Sequence, residues 1–571
     1  MFLWSQLAHP KNRFLYRCAM QITLISFTRD ILAYGLRLLS SKLRLDGHNV
    51  RMVFFTYRND VALSPPVFER FVNLVKESDL IGMSVMTNQF HLAMQVTERL
   101  RQDLNCPVVW GGVHAGIRPE ECLNYAEAVC IGEGEESFPE YVKRIVQGKQ
   151  HLNVQGMWFK EGGKIVRNPP RPLIQDLDAI PFPDYSCKDD YIWLNGSFCR
   201  LDQTLFQEYY GDAYWTLATR GCPFGCSFCA NSTLNKRYAG QKILRKRSIQ
   251  NVISELVEIK ERFPALAHIR FEDDAFFSYT IEELDEFVDL YRKFVALPLC
   301  VTGLNPLYYK RQKLDLLVSA GLKVVRIGIQ SASQRTRALF RRRETDNMVI
   351  QLTKDISSHK LWVHYDVILD NPWETDEDLV ATLLFVSRLP TPYFLLLYSL
   401  TLFPETTLHT RAKLEGRITD DFNEVYGKSY FGLDNTYLNK LFILIGISAA
   451  FHIRFPMKVM PLLVNPILRK IGISAIGYYG CLAALSVKLF GVLSRVHGVK
   501  EGFNRLKTIL NIKSQNGRLS LPLYNFSPTD DGDEPEKLGY GAFFHSYSRY
   551  WPEGLLTPLV DPIFKSKDDK I

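Results

Sequence analysis

Apolar residues in the first part of the chain recur with two different periods. Short β-branched or uninterrupted apolar runs predict strands at 22–27, 50–55, 80–85, 107–110 and 128–131. Between them, apolar residues with helical spacing predict helices at 31–45, 92–104 and 138–146. Strands that alternate with helices predict a doubly wound parallel sheet of the α/β class, in which the carboxyl ends of the strands form a ligand crevice.

The same alternation resumes near Trp215 and continues to about residue 401. Strands are predicted near 214–218, 267–271, 298–303, 323–329, 362–369 and 394–401. The clearest helices between them are predicted at 248–262, 281–294 and 376–387. Six such units predict a partial barrel, (β/α)6, whose chemistry gathers at the carboxyl ends of its strands.

Turn-forming residues mark the boundaries of these regions. Residues 155–170 predict a small hairpin, and the proline-rich stretches 168–172 and 180–185 predict an ordered linker. We therefore predict an N-terminal extension (1–19), a doubly wound domain (20–150), a hairpin and linker (151–207), a partial barrel (208–415) and a mostly helical C-terminal region (416–571).

The C-terminal region differs from the rest in charge. Between Lys440 and Lys513 eleven basic residues accompany a single acid, Glu501. Its two apolar runs, 441–453 and 471–487, are shorter than the roughly 20 residues that span a bilayer. Such runs with flanking basic residues fit helices that lie on an anionic membrane surface, and they fit a buried helical cap over the barrel equally well. The acidic stretch 530–536 and the aromatic stretch 540–551 carry no motif that we can assign.

Composition limits the class of protein. A chain of 571 residues has room for roughly three or four domains, and 46% hydrophobic with 23% charged residues is ordinary for folded protein. Eleven cysteines without a cleavable apolar leader argue against a secreted disulfide framework and favour the reducing cytoplasm. The net charge of +8 is mild for this length and predicts no nucleic-acid partner.

The clearest chemical signal is a cysteine triplet after the first barrel strand. Cys222, Cys226 and Cys229 have C-x3-C-x2-C spacing, and thiolates select soft metals such as iron. A four-iron four-sulfur cluster ordinarily takes four thiolates, but the next cysteine downstream is Cys300, so one iron would stay open to a small ligand. The alternatives are a zinc site without a fourth ligand or three neighbouring buried thiols.

This triplet, with its lead Arg220-Gly221-Cys222-Pro223 and the aromatic Phe228, resembles the radical S-adenosylmethionine (SAM) superfamily. The resemblance implies that the three cysteines hold a 4Fe-4S cluster and that SAM chelates the open iron. It also implies that an electron, from a donor such as flavodoxin or ferredoxin, cleaves SAM to a 5'-deoxyadenosyl radical.

The first domain resembles the cobalamin-binding domain that precedes the radical SAM domain in one subgroup. The resemblance rests on Gly111-Gly112-Val113-His114, then Pro119-Glu120-Glu121, then Gly132-Glu133-Gly134-Glu135. The cobalamin contacts that it implies are Leu32, Ser84, Gly111, Gly112, Val113, His114, Gly132 and Glu133. Members that ligate cobalt through histidine carry Asp-x-His-x-x-Gly, and here Leu32 replaces that histidine. We therefore predict base-off cobalamin without a protein nitrogen on cobalt.

Polar residues after the barrel strands resemble the SAM-contacting segments of the superfamily. The contacts implied position by position are Phe228, Asp273, Asp274, Gln330, Ser331 and Arg341, with Arg342 as an alternative partner for the SAM carboxylate. This chain departs from the family pattern where Asp370, Trp373 and Glu405 replace glycines and Gln330 replaces an acid. The alternative for the two aspartates is that they cap the next helix.

Together these features resemble class B radical SAM methyltransferases, which abstract hydrogen from an unactivated carbon and receive the methyl group from methylcobalamin. Ring formation or rearrangement within the same subgroup, and a non-catalytic cobalamin or cluster sensor, are the alternatives. We expect a small-molecule or lipid-like substrate. We also expect a cytoplasmic protein with peripheral contact to the inner membrane surface through 440–513.

Overall fold

The structure is a computed structural model of the chain. It describes residues 19–28, 31–55, 63–194, 196–210, 213–453, 455–471, 473–497, 513–515 and 518–520. Most of the predicted N-terminal extension, Asp30 and the acidic and aromatic stretches at 530–536 and 540–551 lie outside these residues.

A nine-stranded sheet forms the first domain. Its strands are β1 (Gln21–Ser26), β2 (Asn49–Phe54), β3 (Leu80–Ser84), β4 (Val108–Gly111), β5 (Ala128–Cys130), β6 (Met157–Glu161), β7 (Lys164–Arg167), β8 (Asp190–Leu194) and β9 (Ser197–Arg200). They lie in the order β7-β6-β5-β4-β3-β1-β2-β8-β9. The strands from β5 to β8 in this order pair in parallel, whereas β6, β7 and β9 are antiparallel. The segment expected to be a hairpin and linker thus supplies both edges of the sheet.

Helices cover both faces of this sheet. They are α1 (Tyr34–Leu45), α2 (Pro65–Val75), α3 (Phe90–Asp103), α4 (Val113–Ile117), α5 (Pro119–Cys122) and α6 (Gly134–Val146). Along β1, Ile22 and Leu24 pack in the core that contains α1 and α6, and Ile25 packs in the opposite core with α2 and α3. Strands buried on both faces read as continuous apolar runs, and the predicted doubly wound sheet is therefore confirmed.

The six predicted barrel strands are also confirmed. They are β10 (Ala213–Thr216), β13 (His268–Phe271), β14 (Leu299–Val301), β15 (Leu322–Gln330), β16 (Trp362–Leu369) and β17 (Phe394–Ser399), paired in parallel in this order. A short ribbon of β11 (Thr219–Arg220) and β12 (Arg245–Lys246) leads into and out of the cysteine segment. The helices are α7 (Gln203–Tyr210), α8 (Ala230–Asn235), α9 (Ile249–Arg262), α10 (Ile281–Phe294), α11 (Arg311–Ser319), α12 (Gln334–Phe340), α13 (Asp346–Ser358), α14 (Asp376–Val386) and α15 (Thr407–Leu414).

The C-terminal region is mostly helical. It contains α16 (Tyr437–Ala450), α17 (Met460–Val464), α18 (Pro466–Lys470), α19 (Ile473–His497) and the short strands β18 (Leu433–Asp434), β19 (Lys513–Gln515) and β20 (Arg518–Ser520). Helix α16 packs against β17 and α14, and nearly all of its side chains are buried. The first apolar run is therefore a buried cap on the barrel. Among the helices that the structure describes, none combines the length and apolar character needed to cross a membrane.

Candidate active site

A cavity of about 560 Å³ lies between the carboxyl ends of the first sheet and the cysteine segment of the barrel. The first domain lines it with Ser84, Gly111, Gly112, Val113, Gly132 and Glu133, among others. The barrel contributes residues that include Thr219, Arg220, Gly221, Asn231, Glu272 and Asp274. Six predicted cobalamin contacts therefore meet residues next to the predicted cluster at one cavity.

Glycine at two of these positions keeps the cavity wall thin. Gly112 has a φ of 91°, and a β-carbon there would lie 2.8 Å from the backbone nitrogen of Val85. Gly132 has a φ of 92°, and a β-carbon there would collide with the hydroxyl of Tyr238, which belongs to the barrel region. Side chains at these positions are excluded by both φ and space, so the backbone itself forms the wall.

The cavity continues into the first domain between apolar side chains. Leu24, Leu39, Val109 and Phe138 line this inner part, and Gly82 lies beside them. A β-carbon at Gly82 would approach the Leu24 side chain to 3.0 Å. Among the described residues that line the cavity there is no histidine. The inner part of the cavity is therefore an apolar recess beside the glycine turns.

Two of the predicted cobalamin contacts do not line the cavity. Leu32 is buried in the core of the first domain. His114 is completely buried between the rings of Phe90 and Tyr426, with centroid distances of 4.8 and 4.9 Å. Its Nδ1 lies 3.2 Å from the hydroxyl of Thr87, and burial lowers the pKa of the imidazole to about 3. His114 is therefore a neutral ring that packs between Phe90 of the first domain and Tyr426 of the C-terminal region.

The cysteine segment forms a compact loop beside the cavity. Gly221 enters it with a φ of 85°, where a side chain would meet the carbonyl of Ile243. The amide of Cys229 donates to the carbonyl of Cys226 at 3.2 Å, and the side-chain amide of Asn235 donates to the carbonyl of Cys222 at 2.9 Å. These bonds fix the backbone from which the three thiols project.

The thiols of Cys222 and Cys229 lie in largely buried surroundings with a backbone amide donor beside each. Burial raises the pKa of the Cys222 thiol to about 12 and that of Cys229 to about 11, and backbone amides of Phe224 and Asn231 act in the opposite direction. Within the described part of the chain, no three His, Cys, Asp or Glu side chains lie close enough to share one metal ion. A four-iron cluster does not need such a site, because each cysteine binds a separate iron.

The two aspartates after β13 have different surroundings. Asp273 is buried and accepts hydrogen bonds from the amides of Ala218 and Thr219 and from the Thr219 hydroxyl, and burial raises its pKa to about 7. Asp274 lines the cavity and accepts from Asn231, two residues after the last cysteine, at 2.8 Å. Neither caps α10, which begins with a capping box at Thr280, so the capping alternative is wrong.

The other predicted SAM residues lie outside the cavity lining. Phe228 packs on Phe340 with ring centroids 4.9 Å apart, and Gln330 ends β15 with a left-handed φ of 62°. The Ser331 hydroxyl is buried between Glu374 and Thr382. Arg341 is exposed at the end of α12, and Arg342 turns inward to Glu344 and the carbonyl of Gly328. Only Asp274 of the six reaches the cavity.

Residues that sequence reasoning did not assign join the two domains at the cavity. Arg220 pairs with Glu135 at 2.6 Å and with Glu133 at 3.3 Å, and Arg245 pairs with Glu133 at 2.8 Å. Burial opposes the charge of Arg220, but Glu135 and Glu133 raise its pKa above the ordinary value. In the sequence, the available signals were Arg220, directly before Gly221-Cys222, and the two glutamates of Gly132-Glu133-Gly134-Glu135.

A second group of contacts, near His114, joins the first domain to the end of the barrel and to the segment after it. Arg118, which follows α4, pairs with Asp421 at 2.8 Å and with Glu405 at 3.2 Å. The hydroxyl of Tyr426 donates to Glu121 at 2.7 Å. Polar contacts thus hold the first domain against the barrel and against the segment that follows it.

Two family models match the chain. Residues 20–142 match the model described as B12 binding domain, and residues 216–386 match the model described as Radical SAM superfamily. These ranges correspond to the doubly wound sheet and to most of the partial barrel.

Curated relatives cover different shares of the chain. The uncharacterized methyltransferase PH0819 of Pyrococcus horikoshii is 29% identical over 371 residues, which are 63% of this chain and 74% of the relative. The anaerobic magnesium-protoporphyrin IX monomethyl ester cyclase of Rubrivivax gelatinosus is 24% identical over 48% of this chain and 49% of its own. The cobalamin-dependent radical SAM methyltransferase TokK of Streptomyces tokunonensis is 27% identical over 31% of this chain and 25% of its own. The chain thus spans about half or less of the last two.

Two solved structures share the fold over most of the chain. TsrM from Kitasatospora setae, with cobalamin and a [4Fe-4S] cluster bound, has a TM-score of 0.56 at 18% identity and covers 70% of this chain and 78% of its own. OxsB with aqua-cobalamin and S-adenosylmethionine bound has a TM-score of 0.57 at 15% identity and covers 86% of this chain and 74% of its own. At these identities the likeness shows the arrangement of domains alone.

Proposed function

We propose that this chain methylates an unactivated carbon of a small, hydrophobic substrate. The premise is that the chain belongs to the radical SAM enzymes that carry a B12-binding domain. The observation that carries the proposal is the shared cavity, because it brings Gly111 and Gly112 to the same space as Thr219 and Asp274. When bound, the cluster supplies the electron that cleaves SAM, and cobalamin supplies the methyl group.

We assign the 4Fe-4S cluster to Cys222, Cys226 and Cys229. Support comes from the compact loop and from the amides of Phe224 and Asn231 at the sulfur atoms. Hydrogen-bond donors to a thiolate favour its charged form, which is the form that binds iron. Burial opposes this effect at Cys222 and Cys229, so bound iron would supply the positive charge that keeps the sulfur atoms as thiolates.

For SAM we propose Asp274 as a direct contact, because its carboxylate lines the cavity next to the cysteine loop. Asp273 and Ser331 are buried, and their side chains accept hydrogen bonds from backbone amides that surround the site. Asp273 accepts hydrogen bonds from the backbone amides of Ala218 and Thr219, which precede Arg220. Arg341 faces solvent, and we leave it out of the site.

For cobalamin we propose Ser84, Gly111, Gly112, Val113, Gly132 and Glu133 as the wall that meets the corrin. The apolar recess between Leu24 and Phe138 suits the displaced tail. Since the described cavity lining offers no histidine, we propose that no nitrogen of this chain reaches cobalt from the recess.

The proposal extends to partners and to location. The reaction consumes an electron, and we propose a flavodoxin or ferredoxin as its donor. We further propose that the protein works on the cytoplasmic face of the inner membrane. The basic, apolar segment 440–513 supports this, since basic residues near an anionic leaflet favour its binding.

Formation of 5'-deoxyadenosine tests the enzymatic part of the proposal. Reconstituted protein with SAM and a strong reductant is expected to release 5'-deoxyadenosine, and a Cys226→Ala variant is not. Protein that binds cobalamin in the base-off form but releases none would instead be a sensor.

Isotope labelling tests methyl transfer separately. Cells that make the protein would be fed methionine with a deuterated methyl group, and their extracts compared with those of cells that make Cys226→Ala. A product that gains an intact deuterated methyl group is expected. A new product without the label would mean ring formation or rearrangement, and would contradict methyl transfer while preserving radical chemistry.

A further inference from the structure

Exposed apolar side chains are concentrated on one part of the surface. Of thirteen large apolar residues that are exposed in the described chain, seven lie between Leu462 and Val487. The most exposed are Ile467 (69%), Ile476 (73%) and Val487 (73%). Clusters of exposed apolar residues indicate interaction sites, whereas single exposed apolar residues do not.

Helix α19 carries apolar side chains both on the face that packs against the protein and on the face that is exposed. Its inner face buries Tyr478, Leu485 and Leu489, while Ile476 and Tyr479 are exposed on the outer face. Over the residues of α19 whose side chains the structure describes, 473–489, the only charged residue is Lys488. A helix that is apolar all round belongs in a protein core or against lipid, and the core accounts for only one of these two faces.

Charge around this face selects the occupant. The segment 435–500 contains eight basic residues and no acid, as many positive charges as the net +8 of the whole chain. Lys458, Lys470 and Lys488 are exposed. Each basic residue near an anionic membrane surface favours binding by about fivefold. An exposed apolar face flanked by lysines suits docking on an anionic bilayer, where apolar burial and charge attraction add.

Three contacts place the N-terminal end of α19 near the carboxyl ends of the barrel strands. Arg469 of α18 pairs at 2.8 Å with Asp376, the first residue of α14, which follows the carboxyl end of β16. The hydroxyl of Tyr437, the first residue of α16, donates to the carbonyl of Ser474 in α19 at 3.1 Å. The amide of Asp434, three residues before α16, donates to Asp370, the residue after β16, at 3.0 Å. The N-terminal part of α19 thus lies at the end of the barrel to which the carboxyl ends of the strands point.

We propose that α17, α18 and α19 dock in the interface of an anionic bilayer, and that the substrate is a membrane-resident amphiphile that enters the barrel from the bilayer. The part of this inference that concerns the substrate rests on the proposed function. Docking on the membrane does not require that the enzyme turns over. Residues 521–571 of this chain or a second copy are other possible occupants of the face, and the experiment distinguishes them.

Flotation with vesicles tests the docking. Full-length protein is mixed with vesicles of phosphatidylcholine alone or of phosphatidylcholine with phosphatidylserine, at low and at high salt. The protein is expected to float with the anionic vesicles, several-fold less at high salt, and to stay behind with neutral vesicles. Ile476→Glu is expected to weaken binding about tenfold or more, because it places a charge on the apolar face.

Leu45→Glu is the matched control, since Leu45 on α1 is also 73% exposed but lies far from this segment in the chain. It should float like the parent. Parent protein that remains soluble with every vesicle overturns the proposal, as does an equal loss in both variants. A clear fall in melting temperature with Ile476→Glu but not with Leu45→Glu means that residues 521–571 cover the face, and dissociation of a parent dimer means that a second copy does. Either result also overturns the proposal.

A Cys229→Ala variant separates this inference from the proposed reaction. It is expected to lose SAM cleavage and to float like the parent. Flotation without 5'-deoxyadenosine formation by the parent would remove the reaction but leave the docking. Cleavage without flotation would remove the docking but leave the reaction.

Discussion

Replacing Arg220 by methionine is expected to loosen the entry to the cysteine loop. Arg220 and Glu135 lie 2.6 Å apart, and their side chains are only 18% and 10% exposed. The methionine cannot pair with Glu135, for which the structure gives no other ion-pair partner among the described residues. Glu133 keeps Arg245, so one carboxylate rather than two loses its cation.

The magnitude follows from this burial. Breaking a fully buried pair by removing one partner costs about 3–5 kcal/mol, whereas an exposed pair is worth about 0–1 kcal/mol. With the exposure given above and Glu133 still paired, we expect a cost of about 2–3 kcal/mol. If this cost falls on local opening, amide exchange accelerates by roughly 30- to 150-fold.

Hydrogen exchange at the amides of Ala218 and Thr219 reports this opening, because both donate to the buried Asp273. Arg101→Met is the control for an exposed pair. Arg101 and Glu127 lie 2.8 Å apart but are 38% and 41% exposed. In the Arg101→Met variant, amides near residue 101 should exchange hydrogen at rates within about fivefold of those of the parent.

A double variant, Arg220→Met with Glu135→Leu, checks the cause. Replacing both partners of a buried pair by apolar side chains is often close to neutral, so most of the protection should return. The reasoning is refuted if Arg220→Met exchanges within about fivefold of the parent, or if the double variant exchanges faster than the single one.

Three further predictions address the cluster, a cavity glycine and a buried acid. Cys226→Ala should abolish 5'-deoxyadenosine formation while the base-off absorbance of bound cobalamin remains, and Cys199→Ala, outside the triplet, should keep cleaving; cleavage by the first variant would remove the cluster assignment. Gly112→Ala should destabilise the first domain by about 2 kcal/mol or more in thermal unfolding, from its φ of 91° and the 2.8 Å approach to Val85. Gly35→Ala, which meets open space, should be neutral or slightly stabilising, and equal effects would contradict the argument. Burial raises the pKa of Glu374 from 4.5 to about 7, so the native state binds its proton more tightly and the parent loses stability as pH rises between these values. Glu374→Gln should flatten this part of the melting-temperature profile between pH 4 and 8, and an unchanged slope would exclude Glu374 as its source.

Local sequence pattern was sufficient for the regular elements. The first five strands of the first sheet, β1 to β5, and the six barrel strands could be predicted because buried parallel strands are short apolar runs between helical stretches. The cysteine loop could be predicted because its three thiols fall within eight residues of sequence. In each case the information lies within one element or one turn.

Pairing at the edges of the first sheet could not be predicted. Residues 190–194 and 197–200 form β8 and β9, yet in the sequence they read only as part of a linker. Their place depends on β2, which is more than a hundred residues earlier in the chain. Edge strands carry weaker apolar patterns, and what fixes them is the partner that they meet.

The direction of side chains at the site was likewise decided by tertiary contacts. Gly111 and Gly112 reach the cavity as the motif suggests, but His114, two residues later, turns away into a pocket formed with Tyr426. Arg220 reads as part of a cysteine motif, and only the approach of the first domain gives it Glu135 as a partner. A motif fixes where a residue lies along the backbone, whereas the packing around it decides which way its side chain points.

The two C-terminal apolar runs show this limit most clearly. By composition they were equivalent, and both a buried cap and a membrane surface fitted each of them. In the fold, α16 is enclosed by β17 and α14, while α19 leaves Ile476 and Tyr479 exposed. The sequence determined that both runs are apolar helices. Only the tertiary structure decided which faces are covered, because burial depends on partners that are distant in the chain.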